Sequence, residues 1–233
     1  ETMKVLHGPR LLANPGCSEG EIEDNPFHHQ ALEVATRVGV DFTLNVSMNE
    51  QRQVTGVFAG DLESAHSAGV EFVRSQNIAT IDREADIVIT SGAGAPLDST
   101  FYQSIKGLTA VLPIVAEGGT IIIVANCGEG IGSPEFEKLL LSTDTPEDFL
   151  RCLDDPDFFV IDQWQLQELC KVMRKARVMM YSHCIPEGLS ERLLIEMIDS
   201  VESGIADAMS TCEGNANIAV IPKGPYVLTK ISE

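Results

Sequence analysis

Cations are scarce in this chain: 16 lysines and arginines stand against 35 aspartates and glutamates, a formal charge of −19. Nucleic acid and anionic membranes both require a basic surface, so neither is expected as a partner. The same field repels an anionic ligand, which would have to be held by a few local cations. No apolar run approaches the roughly 20 residues that span a bilayer. The first residues, ETMKVLHGPR, contain neither an apolar signal core nor an initiator Met. The six cysteines (17, 127, 152, 170, 184 and 212) form no CxxC pair and no metal-ligand spacing. That usage points to a reducing cytoplasm, with most thiols serving as small buried fillers. Tryptophan occurs once, at Trp164.

What is present describes a globular protein: 233 residues, 44% of them apolar, with a mean hydropathy of +0.06. This length accommodates one large domain or two modest ones. Asn25 can cap a helix that has Pro26 at its first position. Phe27, Ala31, Val34, Ala35 and Val38 give it a stripe ending at Gly39. Phe42, Leu44 and Val46 alternate with polar residues, and the link Met48 to Gln51 leads to a second strand from Val54, a hairpin. Asp61 caps another helix, with Leu62, Ala65, Gly69 and Phe72 along one side. Polarity rises between Asn77 and Arg83, which places a domain junction there.

Beyond the junction the pattern alternates strand and helix: a strand over 86–91, a helix from 98 to about Leu112, then the β-branched run Thr120 to Ala125. This reads as a parallel crossover. Helices follow near 134–141, 146–153 and 162–175, then a strand Val178–Tyr181, a helical region from Ser190 to about Cys212, and a last strand Ile218–Ile221. The fold class is α/β, with a second domain built on a mainly parallel sheet flanked by helices.

The densest chemistry lies in DIVITSGAGAPLDSTFYQSIKG, residues 86–107. Ile87–Ile89 suit a strand buried on both faces. Gly92, Gly94 and Pro96 break the chain into a loop, and Asp98, Ser99 and Thr100 offer cap oxygens for the helix that follows. Phe101, Ile105, Leu108 and Leu112 share one stripe of that helix, whereas Tyr102, Gln103 and Lys106 fall together on another face. In open α/β sheets ligands bind at the carboxyl ends of strands, where such a phenol, amide and ammonium could hold a small carboxylate. A solvated helix face would show the same periodicity. Two glycine loops invite a dinucleotide reading, but Leu97 and Ser133 stand where the third glycine of each would be. Trp164 projects away from its helix's stripe of Leu166, Leu169, Cys170 and Met173, so it caps a cleft, lines an interface or packs on a loop. His28, His29 and His66 sit on helix faces and His183 follows a strand. His7, near Arg10, has the chemistry of a metal ligand, although one histidine makes no metal site.

Several separated motifs occur in a fixed order: ETMKVLH, DNPFHH, DFTLNV…VFAGDLESAHSAGVEF, DIVITSGAGAPLDSTFYQSIKG, GGTIIIVANCGEGIG and DQWQLQ. Together they resemble the nickel-dependent lactate racemase family over essentially the whole chain, which corresponds to the second half or slightly more of a member. The resemblance implies two α/β domains: a partial cofactor-side domain of residues 1–82 plus 215–233, to which the strand Ile218–Ile221 would return, and a second domain of 83–214. It implies a nickel-pincer mononucleotide as cofactor, a sulfur-containing (thioamide or thiocarboxylate) pyridinium nucleotide, with His7 as the nickel ligand. It implies hydride transfer from C2 of a short 2-hydroxyacid, followed by reduction of the planar keto acid from the other face. Lys106 would pair with the substrate carboxylate, Gln103 would hydrogen-bond beside it, and Tyr102 and Trp164 would shape and dry the pocket. The tethering lysine and the acid–base histidines lie upstream of Glu1 in the family, and Lys4 does not match the tether's context. The resemblance therefore implies that this chain alone is inactive and partners the upstream segment, its first domain exposing apolar surface meanwhile. A noncatalytic α/β carboxylate-binding module is the alternative.

Overall fold

The computed structural model describes residues 6–49, 51–212 and 214–232. Lys4 lies outside them. The chain divides into two compact units, 1–78 and 79–233.

In the first unit, Pro9–Leu12 forms a single turn (α1), and the helix Pro26–Val38 (α2) is capped by the Asn25 side chain, which accepts from the Phe27 and His28 amides. Strands Thr43–Met48 (β1) and Val54–Gly60 (β2) pair antiparallel as the alternation required. The helix Leu62–Asn77 (α3) starts on the Asp61 carboxylate, which accepts from the Ser64 amide. Phe58 on β2 meets Phe72 on α3 with ring centroids 5.5 Å apart, and Gly69 makes room for that ring. Leu44, Val46, Met48, Val54 and Val57 are exposed instead. Register places Val46 opposite Val57 and Met48 opposite Val54, so these side chains share the hairpin's other face. That is the exposed apolar surface expected of this region.

The second unit is built on a parallel sheet. Ile78–Ile81 (β3) pairs with Leu228–Ile231 (β9) in a separate two-stranded ribbon. The main sheet takes Ala85–Ser91 (β4), Val115–Val124 (β5), Arg177–Tyr181 (β6), the two-residue Glu196–Met197 (β7) and Ile218–Ile221 (β8), in the order β7-β6-β5-β4-β8. All four pairings are parallel. Phe101–Thr109 (α4), Pro134–Leu141 (α5), Pro146–Cys152 (α6) and Gln163–Lys175 (α7) pack with Val88, Ile121, Ile123, Val178 and Met180 in one core. Ile87, Ile122 and Met179, which alternate with those residues, meet Ala208 of Val201–Thr211 (α9) on the opposite face. Helices thus cover both faces, which is why Ile121, Ile122 and Ile123 are all fully buried. Each contributes about 1.5–3 kcal/mol.

Several expectations need correction. β8 does not return to the first unit: Ile218–Ile221 hydrogen-bonds beside Ile87–Thr90, so residues 215–233 belong with the second unit. The helical region from Ser190 is broken: Glu187–Ser190 is a single turn (α8), β7 intervenes, and Ser200 restarts the helix with a capping box. Helix α4 stops at Thr109, before Leu112. Only Cys127 and Cys170 are buried; Cys17 and Cys212 are half-buried, and Cys152 and Cys184 are exposed.

Candidate functional site at the carboxyl ends of the sheet

From β4 the chain runs through β5, β6 and β7 toward one edge, and β8 then returns to the other side of β4. This reversal makes the carboxyl end of β4 a topological switch point. The loop after β4 holds Ala93 and Gly94 at positive φ (67° and 77°), and Ser91 Oγ donates to the Pro222 carbonyl at 2.5 Å, joining the ends of β4 and β8. Asp98 does not cap α4. Its buried carboxylate accepts from the Asn126 amide at 3.1 Å and so ties this loop to the one after β5. Thr100 is the cap, accepting from the Gln103 amide at 3.2 Å.

The start of α4 is held by the same neighbouring loop. The Phe101 and Tyr102 amides donate to the Gly130 and Ile131 carbonyls at 3.0 and 2.9 Å. With Gln103 N–H on Thr100, the first three helical donors are all engaged within the protein, so an anion here must be held by side chains. Two are in place. Lys106 is exposed, and its Nζ donates to Gln103 Oε1 at 2.7 Å. Among the described residues no carboxylate pairs with Lys106. The amide oxygen turned to the ammonium leaves the Gln103 NH2 as a second donor beside it.

Tyr102 turns toward α5 and α7. Its ring stands edge-on to Phe136 with centroids 5.1 Å apart, and its oxygen accepts from Trp164 Nε1 at 2.9 Å. Gln165 Nε2 donates to the Tyr102 carbonyl at 3.1 Å. Gly132, at φ 152°, lies so close that a Cβ there would come within 2.9 Å of Tyr102 Cβ. Burial pushes the Tyr102 phenol up, with the Asp162 carboxylate adding to the rise and the Trp164 hydrogen bond opposing it. Trp164 is half-buried, while Leu166, Leu169 and Cys170 are fully buried, so its departure from the stripe is real. The structure therefore brings Tyr102 and Trp164 together and sets Gln103 and Lys106 beside each other. Sequence reasoning missed Asp162, whose left-handed backbone has no signal in periodicity.

His7 belongs to the first unit. It is half-buried just before α1, its ring edge-on to Phe27 at 5.4 Å. His28 stacks on His66 at 5.1 Å, and His183 Nε2 is 2.9 Å from Tyr181 Oη. No group of three potential ligands that could hold a metal occurs among the described residues. A lone imidazole fits a metal that arrives with its own donors, not a site built wholly by protein.

A parallel α/β sheet with helices on both faces and a switch point at the end of β4, beside the Lys106–Gln103 pair, defines an open α/β protein of the kind that places ligands at that point. Residues 80–229 match the family model for the lactate racemase C-terminal domain, and the chain belongs to the lactate racemase family. It is 30% identical to the lactate racemase of Lactiplantibacillus plantarum over 99% of this chain and 54% of that protein. It is 32% identical to the lactate racemase of Thermoanaerobacterium thermosaccharolyticum over 96% and 53%. The lactate racemase apoprotein structure from T. thermosaccharolyticum superposes with a TM-score of 0.91 at 31% identity, covering 97% of this chain and 54% of that one. A Thermotoga maritima protein at 17% identity and a TM-score of 0.58, over 90% and 54% of the two chains, shares the fold alone. The chain spans about half the length of the curated relatives it matches.

Proposed function

We propose that this chain is the C-terminal portion of a 2-hydroxyacid racemase or epimerase acting on a lactate-like substrate. The observation that carries this reading is the exposed Lys106–Gln103 donor pair at the switch point, in a chain of the lactate racemase family. Lys106 Nζ binds the substrate carboxylate, and the Gln103 NH2 donates beside it, fixing the acid's orientation. Tyr102 and Trp164, joined to each other, form a wall that limits water around C2. Excluding water matters because a keto intermediate that escapes ends the cycle. A nickel-pincer nucleotide would supply hydride acceptance and return, with His7 as the residue that holds its metal. The acid–base groups come from the remainder of the longer protein, which also covers the apolar hairpin face of the first unit and works in the cytoplasm. The domain reading keeps residues to about 78 on the cofactor side.

The test uses the full-length protein: metal analysis for nickel, and optical rotation with D- and L-lactate as separate substrates. Nickel together with convergence of both enantiomers to the racemate is expected. Carboxylate binding with neither nickel nor turnover would select the noncatalytic module instead.

A further inference from the structure

Helix α7 buries glutamines at alternate positions, Gln163, Gln165 and Gln167, where an apolar side chain would need no partner. A buried amide is tolerated where its hydrogen bonds are made. Gln163 Oε1 accepts from the Val160 amide at 2.7 Å, a local contact that shapes the entry into the helix. Gln165 reaches 63 positions back in sequence: its Nε2 donates to the Tyr102 main-chain carbonyl at 3.1 Å. A carbonyl has two lone pairs and the helix uses one, so this bond displaces nothing in α4. It is the second tie from α7 to the same residue. Trp164, about 100° round the helix from Gln165, donates to the Tyr102 phenol oxygen at 2.9 Å. The Tyr102 amide is taken by the Ile131 carbonyl at 2.9 Å. Tyr102 is thus held at its main chain by one residue of α7 and at its ring tip by the residue before it.

We propose that Gln165 is a positioning residue: by holding the Tyr102 main chain from α7, it fixes the phenol and the indole as a wall that is formed before a ligand arrives. This rests on reading Tyr102 and Trp164 as substrate-side residues. Gln165 is only 7% exposed, so water does not take over when its donor is lost. The indole then bonds to a ring whose backbone is free to shift against α7. A ligand has to bring the two helix starts back into register as it binds, and that ordering weakens binding more than it slows the chemical step.

Trp164 is the sole tryptophan, so its emission reports on the wall directly. In the full-length protein, Gln165→Met keeps the length of the side chain without its donor, and Gln165→Leu does the same with a shorter, branched one. A cooperative melt serves as the check that each variant is folded, and either one alone decides. Each is expected to shift the Trp164 emission and to raise KM for lactate about five- to tenfold, the worth of one hydrogen bond, with kcat changed less. The emission shift from Gln165→Met is expected to shrink when Tyr102→Phe is already present, because Gln165 reaches the indole through Tyr102. Unchanged emission in either folded variant, a shift undiminished in the Tyr102→Phe background, or a shifted emission with unchanged KM would overturn the proposal. If the unsubstituted protein does not turn over lactate, the racemase reading fails by itself; the emission cycle still decides whether Gln165 holds the pair.

Discussion

The indole N–H of Trp164 donates to the phenol oxygen of Tyr102 at 2.9 Å, across 62 positions of sequence, and fastens the start of α7 to the start of α4. Replacing Tyr102 with Phe removes that hydrogen bond in a half-buried place. The expected cost is about 1 kcal/mol. For a protein of this size that lowers Tm by about 2–4 °C. Calorimetry on the two proteins checks it, and an unchanged Tm would mean water replaces the phenol without loss.

Lys106 tests the anchor role. Its side chain is exposed and, among the described residues, bonded only one turn back, to Gln103, so Lys106→Ala should change stability by no more than about 0.5 kcal/mol. Affinity for a 2-hydroxyacid should fall about 10–100-fold, the worth of a charge-assisted hydrogen bond. Arginine restores the charge but not the compact ammonium, so Lys106→Arg should recover little of it. Titration calorimetry with lactate gives both values. Wild-type affinity in Lys106→Ala removes the carboxylate anchor.

One turn of backbone sets where that anchor stands. A Cβ on Gly107 would lie 2.7 Å from the Ser91 carbonyl oxygen and 3.1 Å from Ile123 Cδ1, so α4 rests directly on the end of β4. Gly107→Ala must lift the helix, at about 1–3 kcal/mol. Because Lys106 rides on the same turn, ligand affinity should fall together with Tm. A variant that loses stability but keeps full affinity would show that the sheet yields and the helix stays.

Acidification should weaken the first unit through His28. Burial, chiefly, and then His66 and His29 hold this imidazole below the ordinary histidine range, with Glu63 opposing them. The unfolded chain therefore binds its proton first. Stability from this group is intact above about pH 6.5, is lost as pH falls toward the folded-state value, and then levels off. His66→Ala should bring the His28 titration, followed by NMR, back toward that of a free histidine. A His28 that already titrates there in the unsubstituted protein would contradict the assignment.

Local signals in the sequence carried much of this fold. Asn25, Asp61 and Thr100 mark helix starts because a cap is a contact within three or four residues, and Thr120–Val124 marks a doubly buried strand by composition. The placement of Tyr102, Gln103 and Lys106 on one side of α4 followed from helical geometry alone. Strands Ile78–Ile81 and Leu228–Ile231 passed unnoticed, since four residues give too short a period and each depends on a partner about 150 positions away. For β8 the error was in its partner and not its existence: four apolar residues state that they are buried, not beside what. The Tyr102–Trp164 contact and the turn of Asp162 toward Ser133 are likewise tertiary facts, absent from any single window.

Because the opening amides of α4 grip the loop after β5, the frame does its own binding internally and lends none of it to a visitor. In the proposed function, recognition of an acid thereby falls to two replaceable side chains on a platform that does not depend on them. Exchanging those two should re-aim the platform at a different small molecule while the sheet beneath stays as it is.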